Sequence, residues 1–343
     1  MDKILNFCAE QYFGEDISEN ISEGVGVAVS GGSDSLSLLI LATEWARKKN
    51  IPVFCITVDH QLRKESAVEA DFVGNFCKSR GIGHTILHWH RKSNHIDASK
   101  LENLAREARY ELLADFCENK GIKFLLVGHT WNDQLETFEI RKKFGSSESG
   151  LAGMSQIRSL TDHVKLLRPL LHFTKNELRI FLKNQEIIWC EDPMNHQEIF
   201  LRVAFRKEIS TYDIEKLEDI SAQIKGLGEK RNIVESAAVY FLKNFCIFFP
   251  DGSITLEINP LLAQKKDVQA EILRRVIWRV GGKKYATTIG EDVCDKIFKK
   301  RLNTIGRCLL KVKKESLEIT KEKRPTYQTV STFRNANLFD IFL

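Results

Sequence analysis

Between residues 25 and 144 the chain switches repeatedly between two hydrophobic periods, and this alternation restricts the fold more than any other feature. Short apolar runs at Val25–Val29, Val53–Val58, Thr85–Leu87 and Phe124–Val127 read as buried strands. Helical patterns separate them at Leu36–Lys49, Lys64–Arg80 and Leu101–Asn119. The last of these places Leu101, Leu104, Ala105, Ala108, Leu112 and Phe116 on one helical stripe. A further helix is expected from Asp133 to about Phe144. Strand–helix units of this length form right-handed βαβ crossovers, so the expected fold class is α/β with a doubly wound parallel sheet. Strands that are apolar throughout fit a sheet covered by helices on both faces.

The alternation fades after about residue 150. Gly145–Gly153 is glycine-rich, and Arg168-Pro169 and Asp192-Pro193 interrupt regular structure. A charged helical stretch is expected from Phe200 to Lys230, a turn at Phe249-Pro250-Asp251-Gly252 and a helix near Val268–Val280. Two strands, Cys308–Val312 and Ser316–Thr320, flank a polar turn at Lys313-Lys314-Glu315. With 343 residues, the expected organisation is a larger domain over 1–210 and a smaller, mainly helical region over 211–343. That smaller region forms one or two subdomains and ends in the short strands.

Charge divides along the same line. Residues 1–200 carry 24 Lys and Arg against 28 Asp and Glu, whereas residues 201–343 carry 27 against 18. A basic C-terminal part next to a mildly acidic N-terminal part points to a polyanionic partner for the former, or to a solvated basic surface. None of the eight cysteines is spaced as C-x-x-C, which argues against a zinc ribbon or a paired redox site. Buried reduced thiols are expected instead. The first sixteen residues reach acidic side chains before any long apolar run, so no signal peptide is expected there. The longest strongly apolar stretch, Leu36–Ala42, is far shorter than the roughly 20 residues of a membrane span, and a cytoplasmic protein is the expectation.

Ser30-Gly31-Gly32-Ser33-Asp34-Ser35 lies between the first strand and the first helix. Two glycines let the backbone approach an anion closely, and the N–H groups and dipole at a helix start attract negative charge. The serines add hydroxyl donors. Asp34 suits such a place when Mg²⁺ lies between it and phosphates. The segment is neither a Walker loop nor G-x-G-x-x-G.

His129 ends the fourth strand, and Asp133 and Glu136 follow at i, i+3 on one face of the next helix. In open parallel sheets, ligands bind at the strands' carboxyl ends. Two carboxylates there can hold Mg²⁺ or an ammonium group; acids in a first helical turn also favour the helix dipole. Arg106 and Arg109 are likewise i, i+3 and suit phosphate or carboxylate recognition, or else pair with Glu102, Glu107 or Glu111 on a solvated face. Asp59-His60 closes the second strand, as part of a site or as a plain strand end, and Glu191-Asp192-Pro193 reads equally as a turn.

The Ser30–Ser35 segment resembles the pyrophosphate loop of the N-type ATP pyrophosphatases, enzymes that adenylate a carbonyl-type oxygen and release pyrophosphate. Other segments narrow the resemblance: Val58-Asp59-His60-Gln61-Leu62-Arg63; Asn103-Leu104-Ala105-Arg106-Glu107-Ala108-Arg109-Tyr110; Gly128-His129-Thr130-Trp131-Asn132-Asp133-Gln134-Leu135-Glu136-Thr137; Gly150–Met154; Arg168-Pro169-Leu170-Leu171; and Trp189–Asn195. In order and spacing they are similar to the tRNA(Ile)-lysidine synthetases over roughly residues 22–210. Where that family commonly has two histidines this chain has His129-Thr130, and Val203 stands after Arg202 where Asn is common.

The resemblance implies an adenine nucleotide α-hydrolase-like, Rossmann-like fold and a ligase that uses ATP and Mg²⁺. Its partners would be tRNA(Ile) with a CAU anticodon and free L-lysine, with no membrane, as a monomer or a homodimer. Ser30, Gly31, Gly32, Ser33, Asp34, Ser35, Asp59 and His60 would bind the nucleotide, and Asp34 and Asp133 the metal. Arg106, Arg109, Asp133 and Glu136 would bind substrate. Asp34, His129, Asp133, Glu136 and Arg109 would be catalytic. Two other readings share the loop. One is a tRNA thiolase, a class that usually needs a cysteine pair or an iron–sulfur cluster. The other is a non-catalytic RNA-binding protein on the same fold.

Overall fold

The computed structural model describes residue 21 and residues 23–62, 65–90, 98–191, 201–282, 289–299 and 302–322. Arg63 and the Asp192-Pro193-Met194-Asn195 segment lie outside these, as does the side chain of Arg202. The chain divides into two compact units, Met1–Lys225 and Gly226–Leu343.

In the first unit, strands β1 (Val25–Ala28), β2 (Val53–Asp59), β3 (Gly83–His88) and β4 (Phe124–Val127) alternate with helices α1 (Ser33–Lys48), α2 (Glu65–Ser79) and α3 (Ala98–Asn119). Helix α4 (Trp131–Lys143) follows β4. The strands and helices expected over residues 25–144 are all present, with ends shifted by three residues at most, whereas the stretch expected as helical from Phe200 to Lys230 is split at residues 210–213 and runs on to Asn244. The sheet then continues beyond the region where the alternation was legible. A short helix α5 (Glu148–Leu151) leads into β5 (Ile157–Ser159) and β6 (Lys165–Leu167). The strand order is β3-β2-β1-β4-β6-β5, with β5 antiparallel to β6 and all other pairs parallel. Helices α6 (Lys175–Lys183) and α7 (Leu201–Ile209) complete the regular structure before a long helix, α8 (Ile214–Asn244).

The two faces of the sheet bury different sets. Val25, Val27, Cys55 and Leu126 pack with α1, with Val73 and Cys77 of α2, and with Leu178, Phe181 and Leu182 of α6. Ile56, Leu125, Val127 and Leu166 pack with Tyr110, Leu113 and Cys117 of α3 on the other. Successive strand residues thus point to opposite cores, as a doubly wound sheet requires. Gly26 permits the second packing: a Cβ there would lie 3.2 Å from Ile56, 3.3 Å from Leu125 and 3.4 Å from Cys117.

The second unit holds more strand than its sequence pattern shows. β7 (Cys246–Phe248), β8 (Ile254–Glu257), β9 (Thr304–Ile305), β10 (Cys308–Val312) and β11 (Ser316–Lys321) form an antiparallel sheet in the order β7-β8-β11-β10-β9. The Phe249–Gly252 turn joins β7 to β8, and the Lys313–Glu315 turn joins β10 to β11. The short α9 (Ile258–Leu262) precedes α10 (Lys266–Gly281), and α11 (Glu291–Phe298) follows it. Ile272, Leu273, Val276 and Ile277 of α10 and Ile297 of α11 form one core with Ile254, Leu256, Leu310, Leu317 and Ile319 of the sheet. The seven cysteines among the described residues are free thiols. No helix among the described residues is long and apolar enough to cross a membrane.

Glycine positions give opposed stability predictions. A Cβ on Gly281 would stand 2.0 Å from the Gly306 carbonyl oxygen, whereas Gly226 and Gly228 sit inside α8 with nothing within 4 Å. Gly281→Ala is expected to destabilise by roughly 1–3 kcal/mol through overpacking. Gly226→Ala and Gly228→Ala should each stabilise by about 0.5–1 kcal/mol, the helix preference of alanine over glycine. Urea denaturation followed by circular dichroism measures both signs.

Candidate active site at the ends of β1 and β4

The sheet order reverses between β1 and β4, so the loops leaving their carboxyl ends part there and leave a crevice. The Ser30–Ser35 loop leaves β1. Gly31 has φ +88, and its carbonyl accepts from Cys190 N at 2.9 Å. Gly32 caps α1 in an extended conformation, and Leu36 N closes the first helical bond to its carbonyl at 3.0 Å. Ser35 Oγ accepts from Ser30 N at 3.2 Å and donates to Gly32 O at 3.0 Å. Ser33 Oγ donates to Asp34 Oδ1 at 3.0 Å. Ser30 Oγ lies 3.3 Å from Ser35 Oγ, so all three hydroxyls hydrogen-bond within the loop itself. Donors for an anion come mainly from the first-turn N–H groups of the 16-residue α1.

The second wall follows β4. A Cβ on Gly128 would lie 3.1 Å from the Asp34 carbonyl group and 3.2 Å from Ser35 Cα. Only a glycine lets this backbone pass so close to the loop. Thr130 then begins α4. Asp133 Oδ2 accepts from Thr130 N at 2.8 Å and from Thr130 Oγ1 at 2.9 Å, the reciprocal arrangement of a capping box. That leaves Asp133 Oδ1 for the crevice, where Lys175 Nζ donates to it at 3.2 Å. The same ammonium lies 4.0 Å from Asp34 Oδ2. Its position is set by the start of α6, where Trp131 N donates to Phe173 O at 2.8 Å and Lys175 N to Asn132 Oδ1 at 2.9 Å.

Glu136 is 2% exposed. Its carboxylate takes two bonds from Arg206 of α7, Nε to Oε1 at 2.6 Å and Nη2 to Oε2 at 3.4 Å. Asp34, Asp133 and Glu136 thus meet two resident cations. Burial would raise the carboxyl of Asp133, but Lys175 and the Thr130 N–H hold it below the usual carboxylate range. Asp34 is raised, because burial and the Asp133 charge outweigh the opposing pull of Lys175.

The remaining residues line the neighbouring side. The Arg106 and Arg109 guanidiniums lie 5.3 and 5.2 Å from the Tyr110 ring centre. Against the upward push of burial, Arg109, Arg106 and Arg168 hold the Tyr110 phenol below its usual value. His60 Nδ1 is buried with no hydrogen-bond partner among the described residues, and the ring meets Trp89 edge-on at 5.8 Å. Burial and Arg109 push this imidazole down to about 4. Asp59 accepts from Gln61 N at 2.9 Å and Ser66 Oγ at 2.7 Å, and lies 3.5 Å from His88. It fastens the turn after β2, where Gln61 has φ 52. Lys175 and Arg206 were not among the residues expected from sequence. Thr174-Lys175-Asn176-Glu177 is a capping box that marks the start of a helix, so a signal for Lys175 existed.

The Glu136–Arg206 pair is testable by a double-mutant cycle. Glu136→Gln and Arg206→Met are each expected to destabilise the protein, with a coupling between them of roughly 1–3 kcal/mol, because the pair's charge-assisted bonds are lost in either variant and Arg206→Met takes them from a buried carboxylate. Denaturation midpoints of the two single variants and the double variant measure it.

Residues 5–212 match the family model of the PP-loop domain. The tRNA(Ile)-lysidine synthase of Wolbachia pipientis wMel is 31% identical over 309 residues, covering 87% of this chain and 70% of that protein. The synthase of Orientia tsutsugamushi (strain Boryong) is 32% identical over 80% of this chain and 55% of its own. That of Hyphomonas neptunium (strain ATCC 15444) is 42% identical over 53% of this chain and 50% of its own. The chain therefore spans between half and 70% of the length of these relatives. The U34-tRNA thiolase NcsA from Methanococcus maripaludis, solved with its 4Fe-4S cluster, superposes with a TM-score of 0.53 over 68% of this chain and 78% of that one. At 19% identity, that likeness shows a shared fold alone. The match to the PP-loop domain and the coverage of the Wolbachia synthase place this chain in the tRNA(Ile)-lysidine synthase family.

Proposed function

We propose that this chain ligates lysine to C2 of the wobble cytidine of CAU-anticodon tRNA(Ile), using ATP and releasing AMP and pyrophosphate. The C2 carbonyl oxygen attacks the α-phosphorus of ATP, and pyrophosphate leaves. The ε-amine of lysine then attacks C2, AMP leaves, and lysidine results. The observation that carries this reading is the ammonium of Lys175, held between the carboxylates of Asp133 and Asp34 beside the pyrophosphate loop. A crevice that already accommodates one primary ammonium there has the chemistry to receive a second, or a divalent cation.

The donor set suits Mg²⁺, which takes one or two carboxylates and completes its shell with phosphate oxygens and water. Asp34 and Asp133 would hold it. When bound, it supplies positive charge to the leaving pyrophosphate. The first-turn N–H groups of α1 cradle the same phosphates.

The attacking amine must be neutral, although a free lysine side chain titrates near 10.4. Lys175 and Arg206 beside Asp133 and Glu136 oppose a third positive charge, which favours loss of the proton from a bound amine. Arg106 and Arg109 suit the carboxylate of lysine or a phosphate of the tRNA. The target base leaves the stack of the anticodon loop to enter the crevice. The basic residues of the C-terminal part would hold the tRNA backbone through salt-sensitive contacts.

Incorporation of radiolabelled lysine into unmodified CAU-anticodon tRNA(Ile), with ATP and Mg²⁺, tests the reading. Label that survives mild alkaline deacylation is expected. Asp34→Ala should lower the rate by at least about a hundredfold, the scale of losing one group that stabilises transition-state charge. Chelation of Mg²⁺ should abolish incorporation. AMP and pyrophosphate formed without lysine incorporation would assign a different nucleophile, sulfur first. Absence of any tRNA-stimulated ATP cleavage would leave a binding protein.

A further inference from the structure

The Arg168-Pro169-Leu170-Leu171 segment has no part in the reading above, yet its arginine is one of the few buried charges of the first unit, at 3% exposure. Burying a guanidinium is costly unless its donors are matched. Arg168 N donates to Gln156 O at 2.9 Å, which fixes the backbone against the segment leading into β5. In the side chain, Nη1 donates to Ser155 O at 2.7 Å, and Nε reaches His129 Nδ1 at 3.3 Å. The second contact determines the chemistry of the imidazole. A guanidinium has donors only, so Nδ1 must accept and carries the lone pair. The single proton of the neutral ring then sits on Nε2.

We propose that Arg168 is a positioning residue that locks His129 in the Nε2–H tautomer, so that His129 serves the adenylation step as a neutral hydrogen-bond donor to a phosphoryl oxygen and not as the base that deprotonates lysine. The catalytic half of this inference rests on the lysidine-forming reading; the lock itself does not.

Three further observations support it. Gly128, immediately before His129, abuts the backbone of Asp34 and Ser35, which brings the chain at His129 beside the phosphate cradle. The charged groups facing the ring are the cations Arg168, Arg106 and Arg109 and the carboxylate of Asp133. Burial and the three cations push the imidazole down to about 3 against the pull of Asp133, so the ring is uncharged at neutral pH. Finally, the oxygens of Asp133 are engaged by Thr130 and Lys175. Among the described residues nothing hydrogen-bonds Nε2, so its proton is available to a ligand. A base needs its lone pair on the nitrogen that meets the substrate, and here that lone pair is turned toward Arg168.

The test uses the full chain with ¹⁵N-labelled histidine rings, His129 being assigned by the signal lost in His129→Gln. At neutral pH the wild type is expected to show a protonated Nε2 and a bare Nδ1, and Arg168→Met is expected to lose that signature. Pyrophosphate release in the presence of tRNA and ATP supplies the second readout. His129→Ala should slow it about 10²- to 10³-fold, the effect of removing one donor to developing charge. His129→Gln places an amide N–H near the position of Nε2 and should recover at least about tenfold of that loss. A proton on Nδ1 in the wild type, an unchanged ring signature in a folded Arg168→Met, or a glutamine variant as slow as the alanine one would each overturn the proposal. The wild-type spectrum and the glutamine–alanine comparison stand even where Arg168→Met fails to fold. A wild-type Nε2–H ring in a protein that ligates no lysine would uphold the lock and count against the lysidine reading alone.

Discussion

The ammonium of Lys175 is the group on which the geometry of the crevice depends. Asp34 begins α1, Asp133 begins α4 and Lys175 begins α6, and the three helix starts meet at this one charge. Without it, two half-buried carboxylates would face each other across the crevice, and each would disfavour ionisation of the other. With it, Asp133 stays ionised while Asp34 is still raised, so the two acids are unequal before any ligand binds. Glu136 is balanced separately by Arg206. On the acidic side of the site, the protein's own Lys175 and Arg206 thus offset much of the charge of three carboxylates.

Local structural devices and functional chemistry share the same atoms here. One oxygen of Asp133 closes the capping box of α4, and this fixes the direction of the other. Thr130 and Thr174 cap α4 and α6 in the same way, and the bonds from Trp131 N and Lys175 N then hold those two helix starts together. Gly128 lets the end of β4 approach the loop after β1 closely enough for residues 34 and 133 to share one cation. Such features resemble ordinary helix starts and turns in the sequence. Their position at the sheet's switch point turns them into a site.

Much of this was legible in the sequence because it is local. Strand and helix periods over residues 25–144, the glycines and serines of the loop, and the i, i+3 acids of α4 each depend on neighbours a few positions away. What escaped has long-range causes. β6 is three residues long and is a strand only because β4 lies beside it; β5 exists only as its antiparallel partner. Lys175 pairs with a residue 42 positions earlier, Arg206 with one 70 positions earlier, and Arg168 with one 39 positions earlier. No periodicity encodes such pairs. The second unit yielded its β10–β11 hairpin, because alternation and a polar turn coincide there, but β7 and β8 are only three and four residues long, and the strand that joins them to the sheet, β11, lies far along the chain.

The charges of the crevice are also segregated. Carboxylates with bound cations occupy the side formed by α1, α4, α6 and α7, whereas Arg106, Arg109 and Arg168 gather around Tyr110 and His129. A cationic ligand approaching the first side must exchange with Lys175 or Arg206, so its binding is a substitution of one positive charge for another, with little change in total charge. An anionic ligand approaching the second side meets three guanidiniums gathered in one place. Electrostatics thus favour filling the crevice with an anion first, and an anion bound there adds the negative charge that lets a further cation be accommodated. For the proposed reaction, which would bring together a polyanionic nucleotide, a divalent ion and an amine, that order follows from where the protein has already placed its own counter-charges.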